Sequence, residues 1–207
     1  MSYRSRMPGV KGQVQARGVE RRKAIVDAAI EHFAREGYRG TGIAAIADAA
    51  GVTTGGLLHH FGTKERLLVE VLKQRDHQAV QQFAAAAHRS VASDFENWVR
   101  VATWNEDRAM LAALHTVLLA ESIDDDHPAH EFMRERNRAV HELLAETLRQ
   151  GIARGELRVD IDVNRKADEM LAFLDGAQLM WLHSPKRHGL ARLVRGYFDD
   201  QLAVLAP

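Results

Sequence analysis

The sequence predicts an all-α fold, and three observations carry that prediction. From residue 19 onward apolar residues recur three and four apart, the spacing that gathers them on one face of a helix. No stretch of useful length alternates apolar and polar residues as a half-buried strand does. Glycine, proline and helix-capping residues punctuate the chain between the apolar runs, and no internal repeat is discernible.

Residues 1–18 carry Arg4, Arg6, Lys11 and Arg17 with Pro8, several glycines and no apolar periodicity, which reads as a disordered basic arm. A first helix sets in at Val19 with Ile25, Val26, Ala29, Ile30 and Phe33 on one face, and Gly37 is placed to cap its C-terminus. Thr41 is expected as the N-cap of a second helix of roughly two turns carrying Ile43, Ile46, Ala47 and Ala50. Gly51 ends it, because glycine takes the positive φ of a sharp reversal without steric cost. Thr53 then caps a third short helix with Leu57 and Phe61 four apart on one face. Gly62-Thr63 breaks the chain again, and Glu65 falls in the first turn of a fourth helix, where a carboxylate suits the helix dipole. Further helices are expected over residues 66–90, 94–122, 128–154, 163–183 and 189–205, divided by SVASD, SIDDDHP, RGELRVDID and HSPKRHG.

Composition narrows the function classes. With 46% hydrophobic and 27% charged residues in 207, the chain has the make-up of an ordinary globular protein. The absence of cysteine excludes disulfides, a thiolate nucleophile and Cys-based zinc sites. No apolar run reaches the roughly 18–20 residues of a membrane span, and the start, MSYRSRMPGVKGQVQARG, lacks the apolar segment of a signal peptide. A cytoplasmic location is expected. The net charge of zero conceals a division: residues 1–75 hold 13 Lys and Arg against 7 Asp and Glu, and residues 76–207 hold 15 against 21. A basic front suits a polyanionic partner.

GVTTGGLLHHF, residues 51–61, admits three readings. A phosphate-cradling loop needs GxxxxGK[ST] after a buried strand; here five residues separate Gly56 from Gly62, Thr63 precedes Lys64, and the preceding segment is helical. A metal site is no better, because adjacent histidines on a helix diverge by about 100° and no third ligand lies near His59 and His60. The reading that fits is a helix-turn-helix, which needs a short first helix, a tight glycine-bearing turn and a second helix exposing its N-terminal residues. Ile46, Ala47, Val52, Leu57 and Phe61 form the inner face, leaving Thr53, Thr54, Gly55, Leu58 and His59 outside. Threonines and glycines at an exposed helix start are poor helix formers, and close approach to DNA would explain them.

At this point residues 20–73 resemble the N-terminal domain of TetR-type (TetR/AcrR) transcriptional regulators. The motifs that carry the resemblance are Gly37-Tyr38, Thr41, Ile46-Ala47, Ala50-Gly51-Val52-Thr53, the Gly55, Leu57, Phe61 core pattern and the Thr63-Lys64-Glu65 start, in one unbroken register. The resemblance implies a DNA-binding domain over 19–79, with its helix-turn-helix at about 42–61, and a helical ligand-binding and dimerisation domain over 80–207. It implies that Thr41 presents its backbone N–H and hydroxyl to a phosphate, that Thr53, Thr54 and Gly55 approach backbone or base edges, that His59 touches backbone or base, and that Lys64 holds a second phosphate. Two departures stand out. Leu58 occupies a place where the family commonly has a phosphate-binding tyrosine, and Thr54 is short and uncharged where a longer polar side chain is frequent. The electrostatic share would then fall to Arg21, Arg22, Lys23 and the arm.

In the C-terminal part, Ala167, Met170, Leu171, Leu174, Ala177 and Trp181 form one stripe, and Leu190, Leu193, Val194, Tyr197, Phe198, Leu202 and Leu205 form another. The resemblance implies that these two helices pair with their copies in a homodimer, presenting two recognition helices to a near-palindromic double-stranded operator. Trp104, His115, Phe173 and Trp181 are the candidate ligand residues, with Trp98, Met110 and Met180 in the same helices. His115, isolated in LAALHTVLL, needs a buried partner: Asp175, another side chain or the ligand. An apolar or aromatic effector is expected. SIDDDHPAH, residues 122–130, reads as a solvated loop rather than a metal site. No catalytic residue, cofactor or metal is expected. The function that follows is a ligand-released repressor, with two alternatives: an all-α enzyme or carrier with a vestigial DNA-binding front, which would show turnover, and a non-specific DNA binder, which would give no footprint of defined half-site spacing.

Overall fold

A computed structural model describes residues 10–83 and 89–207. The described residues form helices and connecting turns, with no strand: α1 (Val10–Gly40), α2 (Ile43–Ala49), α3 (Thr54–Phe61), α4 (Lys64–Phe83), α5 (Val91–Glu106), α6 (Ala109–Glu121), α7 (His130–Ala153), α8 (Val163–His183) and α9 (Leu190–Leu205). Among them, no helix is long and apolar enough to cross a membrane.

Three boundaries differ from the sequence expectation. Residues 10–18 continue α1 instead of forming an arm, and residues 1–9 lie outside the described part. Lys11, Gln13, Gln15, Ala16 and Arg17 are good helix formers, and adding turns to an existing helix avoids the cost of nucleation, which offsets the two glycines. The expected helix over 94–122 is two helices, α5 and α6, separated at Asp107-Arg108, where Arg108 leaves helical geometry at φ −132°, ψ 50°. No glycine or proline marks that break. SVASD is a start rather than a gap: Ser90 and Ser93 cap α5 reciprocally, each hydroxyl accepting from the other's backbone N–H at 3.1 Å.

Two hydrophobic cores result. The first joins Ile25, Val26, Ala29 and Phe33 of α1 to Ile46 and Ala47 of α2, Leu57 and Phe61 of α3, and Leu67, Leu68, Val71 and Leu72 of α4. Leu114 and Leu118 of α6 and Met133 of α7 complete it. The second core packs α5, α7, α8 and α9 around Phe95, Leu148, Met170, Trp181 and Phe198, with Phe95 stacked on Phe198 at 4.3 Å. Each fully buried Phe, Leu or Ile contributes about 1.5–3 kcal/mol. The division expected at 79/80 falls inside α4, and α6 serves both cores, giving Ala112 to the second and Leu114 and Leu118 to the first.

The contact between the ends of α1 and α6 is tight. Gly37, near the end of α1, adopts φ 69°, ψ −179°, and a Cβ built there would lie 2.0 Å from Glu121 Oε1 at the end of α6. The Tyr38 N–H donates to Glu121 Oε2 at 2.7 Å, the Tyr38 hydroxyl donates to Glu65 Oε1 at 2.6 Å, and the Tyr38 ring meets the buried His127 ring edge-on at 5.2 Å. Asp124 accepts from Arg39. The stretch at 122–130 is therefore not wholly solvated: its aspartates are exposed, while His127 and Ala129 are buried against the end of α1. Replacing Gly37 by alanine is expected to cost about 2–3 kcal/mol, combining left-handed strain with displacement of Glu121. In a Glu121→Ala background the same replacement should cost only the strain, about 1–2 kcal/mol; urea unfolding of the four proteins of the cycle measures the difference.

Candidate nucleic-acid interface and ligand cavity

The turn between α2 and α3 is built from local backbone bonds. Val52 N–H donates to Ala47 O at 3.0 Å and Gly51 N–H to Asp48 O at 3.1 Å, closing the end of α2, with Gly51 at φ 65°. Thr53 caps α3 as expected, its Oγ1 accepting from Gly56 N–H at 3.0 Å. An accepting hydroxyl keeps its own proton free to donate. Leu57 and Phe61 are buried at 0% and 7%, so α3 is anchored by one face. Thr53, Thr54, Gly55, Leu58 and His59 are all exposed on the other, Leu58 at 38%. The two glycines of α3 play separate parts. A Cβ at Gly56 would crowd the Thr53 hydroxyl at 3.2 Å, whereas a Cβ at Gly55 would meet nothing within 4 Å. Gly55 leaves a smooth, open surface; Gly56 makes room for the cap.

The flanking groups depart from expectation in two places. Thr41 is buried at 2% and is not the cap of α2, a position held by Gly42. Its hydroxyl donates backward to Gly37 O at 2.7 Å, so it does not point at an outside phosphate. Lys64 stands at the first residue of α4, half-buried, with its ammonium 4.3 Å from the Tyr38 ring centroid. Burial lowers its pKa, opposed by the Glu65 and Glu121 carboxylates. Hydrogen bonds from Thr63 and Tyr38 hold the Glu65 carboxyl down to about 2. Of the cations expected to supply the electrostatics, Arg22 bonds Glu70 at 2.7 Å and lies 5.0 Å from the Phe61 ring centroid. Lys23 pairs with Asp27, and Arg21 is exposed.

In the C-terminal part a cavity of about 80 Å³ opens between α4, α5, α6, α7, α8 and α9. Trp104 and His115 line it, as do Trp98, Leu171 and Leu174. Phe173 and Trp181 lie elsewhere. Phe173 stacks on Tyr197 at 3.8 Å across the seam of α8 and α9, and Trp181 is packed into the second core. The four were expected at the pocket from the helices they sit in, which does not distinguish cavity from core.

Sequence reasoning named His115 and, as its possible partner, Asp175, but missed Arg75, Asp76 and Arg136, which complete the charged floor of this cavity. Arg75, buried to 5% exposure, donates to Asp76 Oδ1 at 3.0 Å, and Arg136 donates to the same oxygen at 3.3 Å. Arg136 Nη1 also approaches His115 Nε2 at 3.5 Å, and Asp175 Oδ1 stands 3.7 Å from that nitrogen. A guanidinium only donates, so in the tautomer that accepts from Arg136 on Nε2 the His115 ring hydrogen sits on Nδ1. Burial lowers the Arg75 pKa to about 10, with Arg136 adding to the effect and Asp76 opposing it. A signal was present in the sequence: Arg75 continues the apolar stripe of Leu68, Val71 and Leu72, and Asp175 falls four residues after Leu171 in the stripe of α8.

Burial, reinforced by the Arg136 and Arg75 guanidiniums, holds His115 well below its ordinary value of 6.5. Above pH 6.5 the imidazole is neutral folded and unfolded. Below it the unfolded chain takes up a proton that the folded chain refuses, so stability is lost as pH falls toward the folded value. Burial lowers His127 in the same direction. The melting temperature is expected to drop from pH 7 to pH 5, and His115→Asn should flatten that slope; a variant with the parental slope would contradict the assignment.

The geometry can be set beside known proteins. The pattern described as bacterial regulatory proteins, tetR family, matches residues 25–71, and that of the BetI-type transcriptional repressor C-terminal domain matches residues 104–203. The HTH-type transcriptional regulator TtgR of Pseudomonas putida is 30% identical over 198 residues, 90% of this chain and 91% of its own. The HTH-type transcriptional repressor KstR2 of Rhodococcus jostii is 32% identical over 161 residues, 69% and 71% of the two chains. Among solved structures, FadR of Bacillus subtilis in complex with stearoyl-CoA has a TM-score of 0.74 at 20% identity over 86% of this chain and 95% of that one. SmeT, the repressor of the Stenotrophomonas maltophilia multidrug efflux pump SmeDEF, reaches 0.73 at 20% identity over 90% of both. The structural likenesses establish a shared fold, and the sequence matches carry the assignment further. With an exposed helix-turn-helix in the first core and sequence identity running through nine-tenths of the chain, the protein belongs to the TetR family of bacterial DNA-binding transcriptional regulators.

Proposed function

We propose that this protein is a homodimeric cytoplasmic repressor that holds a near-palindromic operator through its two α3 helices and releases it when a small molecule enters the cavity between α4 and α9. The observation that carries the reading is α3 itself, anchored by Leu57 and Phe61 and presenting Thr53, Thr54, Gly55, Leu58 and His59 together on its outer face. These residues, with Lys64 at the start of α4, are the proposed contacts; the Thr41 hydroxyl is not among them, being turned to Gly37 O. Leu58 offers van der Waals contact to sugar or a thymine methyl rather than a hydrogen bond.

The proposed dimer face is the outer side of α8 and α9. Leu179, Met180 and Val204 are exposed there at 45%, 52% and 60%, and a Cβ at Gly176 or Gly196 would meet nothing within 4 Å. Apolar side chains beside bare glycines suit close packing against a second copy. Release follows from linkage: a ligand that binds better to the conformer whose recognition helices no longer match successive major grooves lowers operator affinity by its differential affinity. The complex of FadR with stearoyl-CoA supports a small-molecule effector with an apolar body.

Fluorescence anisotropy against the region upstream of the protein's own gene tests the reading. Binding should weaken about 10³-fold between 50 and 200 mM salt for roughly six phosphate contacts, and protection should show half-sites spaced by about 10 base pairs or a multiple of it. Affinity no better than for bulk DNA would sink the proposal. Thr54→Ala and His59→Ala are each expected to cost about 1–3 kcal/mol in operator binding if they reach base edges, with the melting temperature unchanged. Met180→Glu should convert the dimer to monomer in light scattering and abolish operator binding with it.

A further inference from the structure

We propose that the effector is a carboxylic acid with an apolar body, its carboxylate held by Arg75, Arg136 and His115 at the charged end of the cavity. This rests on the small-molecule-responsive reading above and specifies its chemistry. Arg75 is about nineteen-twentieths buried and its Nε finds no hydrogen-bond partner among the described residues; the Nδ1 of His115, at 3% exposure, finds none either. Both residues line the cavity. Buried donors left unpaired are costly, and two of them beside guanidinium groups call for an acceptor with negative charge. The carboxylates already present do not supply it. Asp76 Oδ1 is shared by Arg75 and Arg136. Asp175 stands beyond hydrogen-bond distance of His115 at 3.7 Å, and burial disfavours its ionised form.

The rest of the cavity sets the body of the ligand. Trp98, Val101, Trp104, Leu171, Leu174 and Val194 supply apolar walls. Asn105 donates to Gln178 at 3.0 Å and leaves its own Oδ1 as a buried, unpaired acceptor, suited to a hydroxyl on the ligand. A carboxylate is favoured over a phosphate because its two coplanar oxygens match the guanidinium fork with a single charge. A second charge would face Asp76 and Asp175. At about 80 Å³ the cavity holds the head group but not the body, so binding must widen it on the side of its apolar walls, among α5, α8 and α9.

Tryptophan fluorescence of the full-length protein tests this, since Trp98 and Trp104 stand in the walls. The probes are octanoate, 4-phenylbutyrate and 1-naphthylacetate, each beside its carboxamide, with octylphosphonate as a fourth anion. At least one carboxylate should bind saturably and about tenfold or more tighter than its amide. Arg75→Gln and, at the less buried position, Arg136→Gln should each erase that preference while amide affinity stays within about threefold, with cooperative melting confirming the fold. The proposal is overturned if no carboxylate outbinds its amide, if octylphosphonate outbinds octanoate, or if a folded variant keeps the preference. Operator anisotropy of the unliganded protein separates the two readings: intact operator binding without carboxylate selectivity removes the effector class alone, and carboxylate selectivity without operator binding removes the repressor reading alone.

Discussion

The Glu121 carboxylate, pressed against the turn at Gly37-Tyr38, ties the end of α1 to the end of α6, the helix that gives residues to both cores. It accepts the Tyr38 N–H at 2.7 Å in a place that only a residue without a side chain leaves open. Tyr38 in turn reaches the start of α4 twice, through its hydroxyl to Glu65 and through its ring to the Lys64 ammonium. The end of α1, the end of α6 and the beginning of α4 therefore meet around one tyrosine. Charge-assisted hydrogen bonds are short and strong, so this contact fixes the end of α6 against the turn that also meets the start of α4. Asp124, bonded to Arg39, adds a second tie beside the first.

Along α4 the same stripe changes character. Leu67, Leu68, Val71 and Leu72 belong to the core that supports α2 and α3, and Arg75, one turn on, belongs to the cavity. Burying a guanidinium is expensive unless its donors are met, and here Asp76 meets one of them. The compensation is incomplete at Nε. A helix whose one end braces the DNA-binding face and whose other part holds an under-satisfied cation is a natural element for coupling ligand to operator, because the same rigid body carries both interactions.

What the sequence disclosed follows how local each interaction is. The turn at Gly51, the Thr53 cap and the Leu57 and Phe61 anchor each involve residues within about five positions of one another, so spacing alone identified them. Thr41 was misplaced by one residue: α2 starts after Gly42, and the turn at Gly37 brings a carbonyl within reach of the Thr41 hydroxyl, which spacing does not reveal. The division between α5 and α6 lacks glycine and proline, so no local signal marked it. The full charged floor of the cavity was out of reach for a different reason. His115 and Asp175 were named as a possible pair from the need of a buried imidazole for a partner, but Arg75 and Arg136 come from α4 and α7, and only the packing of four helices brings them to that pair. Phe173 and Trp181 lie on α8 with the cavity residues Leu171 and Leu174, and only the stacking on Tyr197 and the second core separates them.

The grip of a single recognition module is expected to be light, and that bears on how release can work. Lys64 is drawn onto the Tyr38 ring, Arg22 onto Glu70 and Phe61, and Lys23 onto Asp27, so these cations are partly committed within the protein. The outer face of α3 offers hydroxyls, an imidazole, bare backbone at Gly55 and the apolar Leu58. Hydroxyls, backbone N–H groups and apolar carbons gain less from phosphate than lysine or arginine do. In the proposed dimer, high operator affinity comes from two modules acting together, where the second binds at the effective concentration set by the first. Affinity built that way depends steeply on the separation of the two α3 helices. In the proposed dimer, a ligand that changes this separation forfeits the second contact and with it most of the affinity.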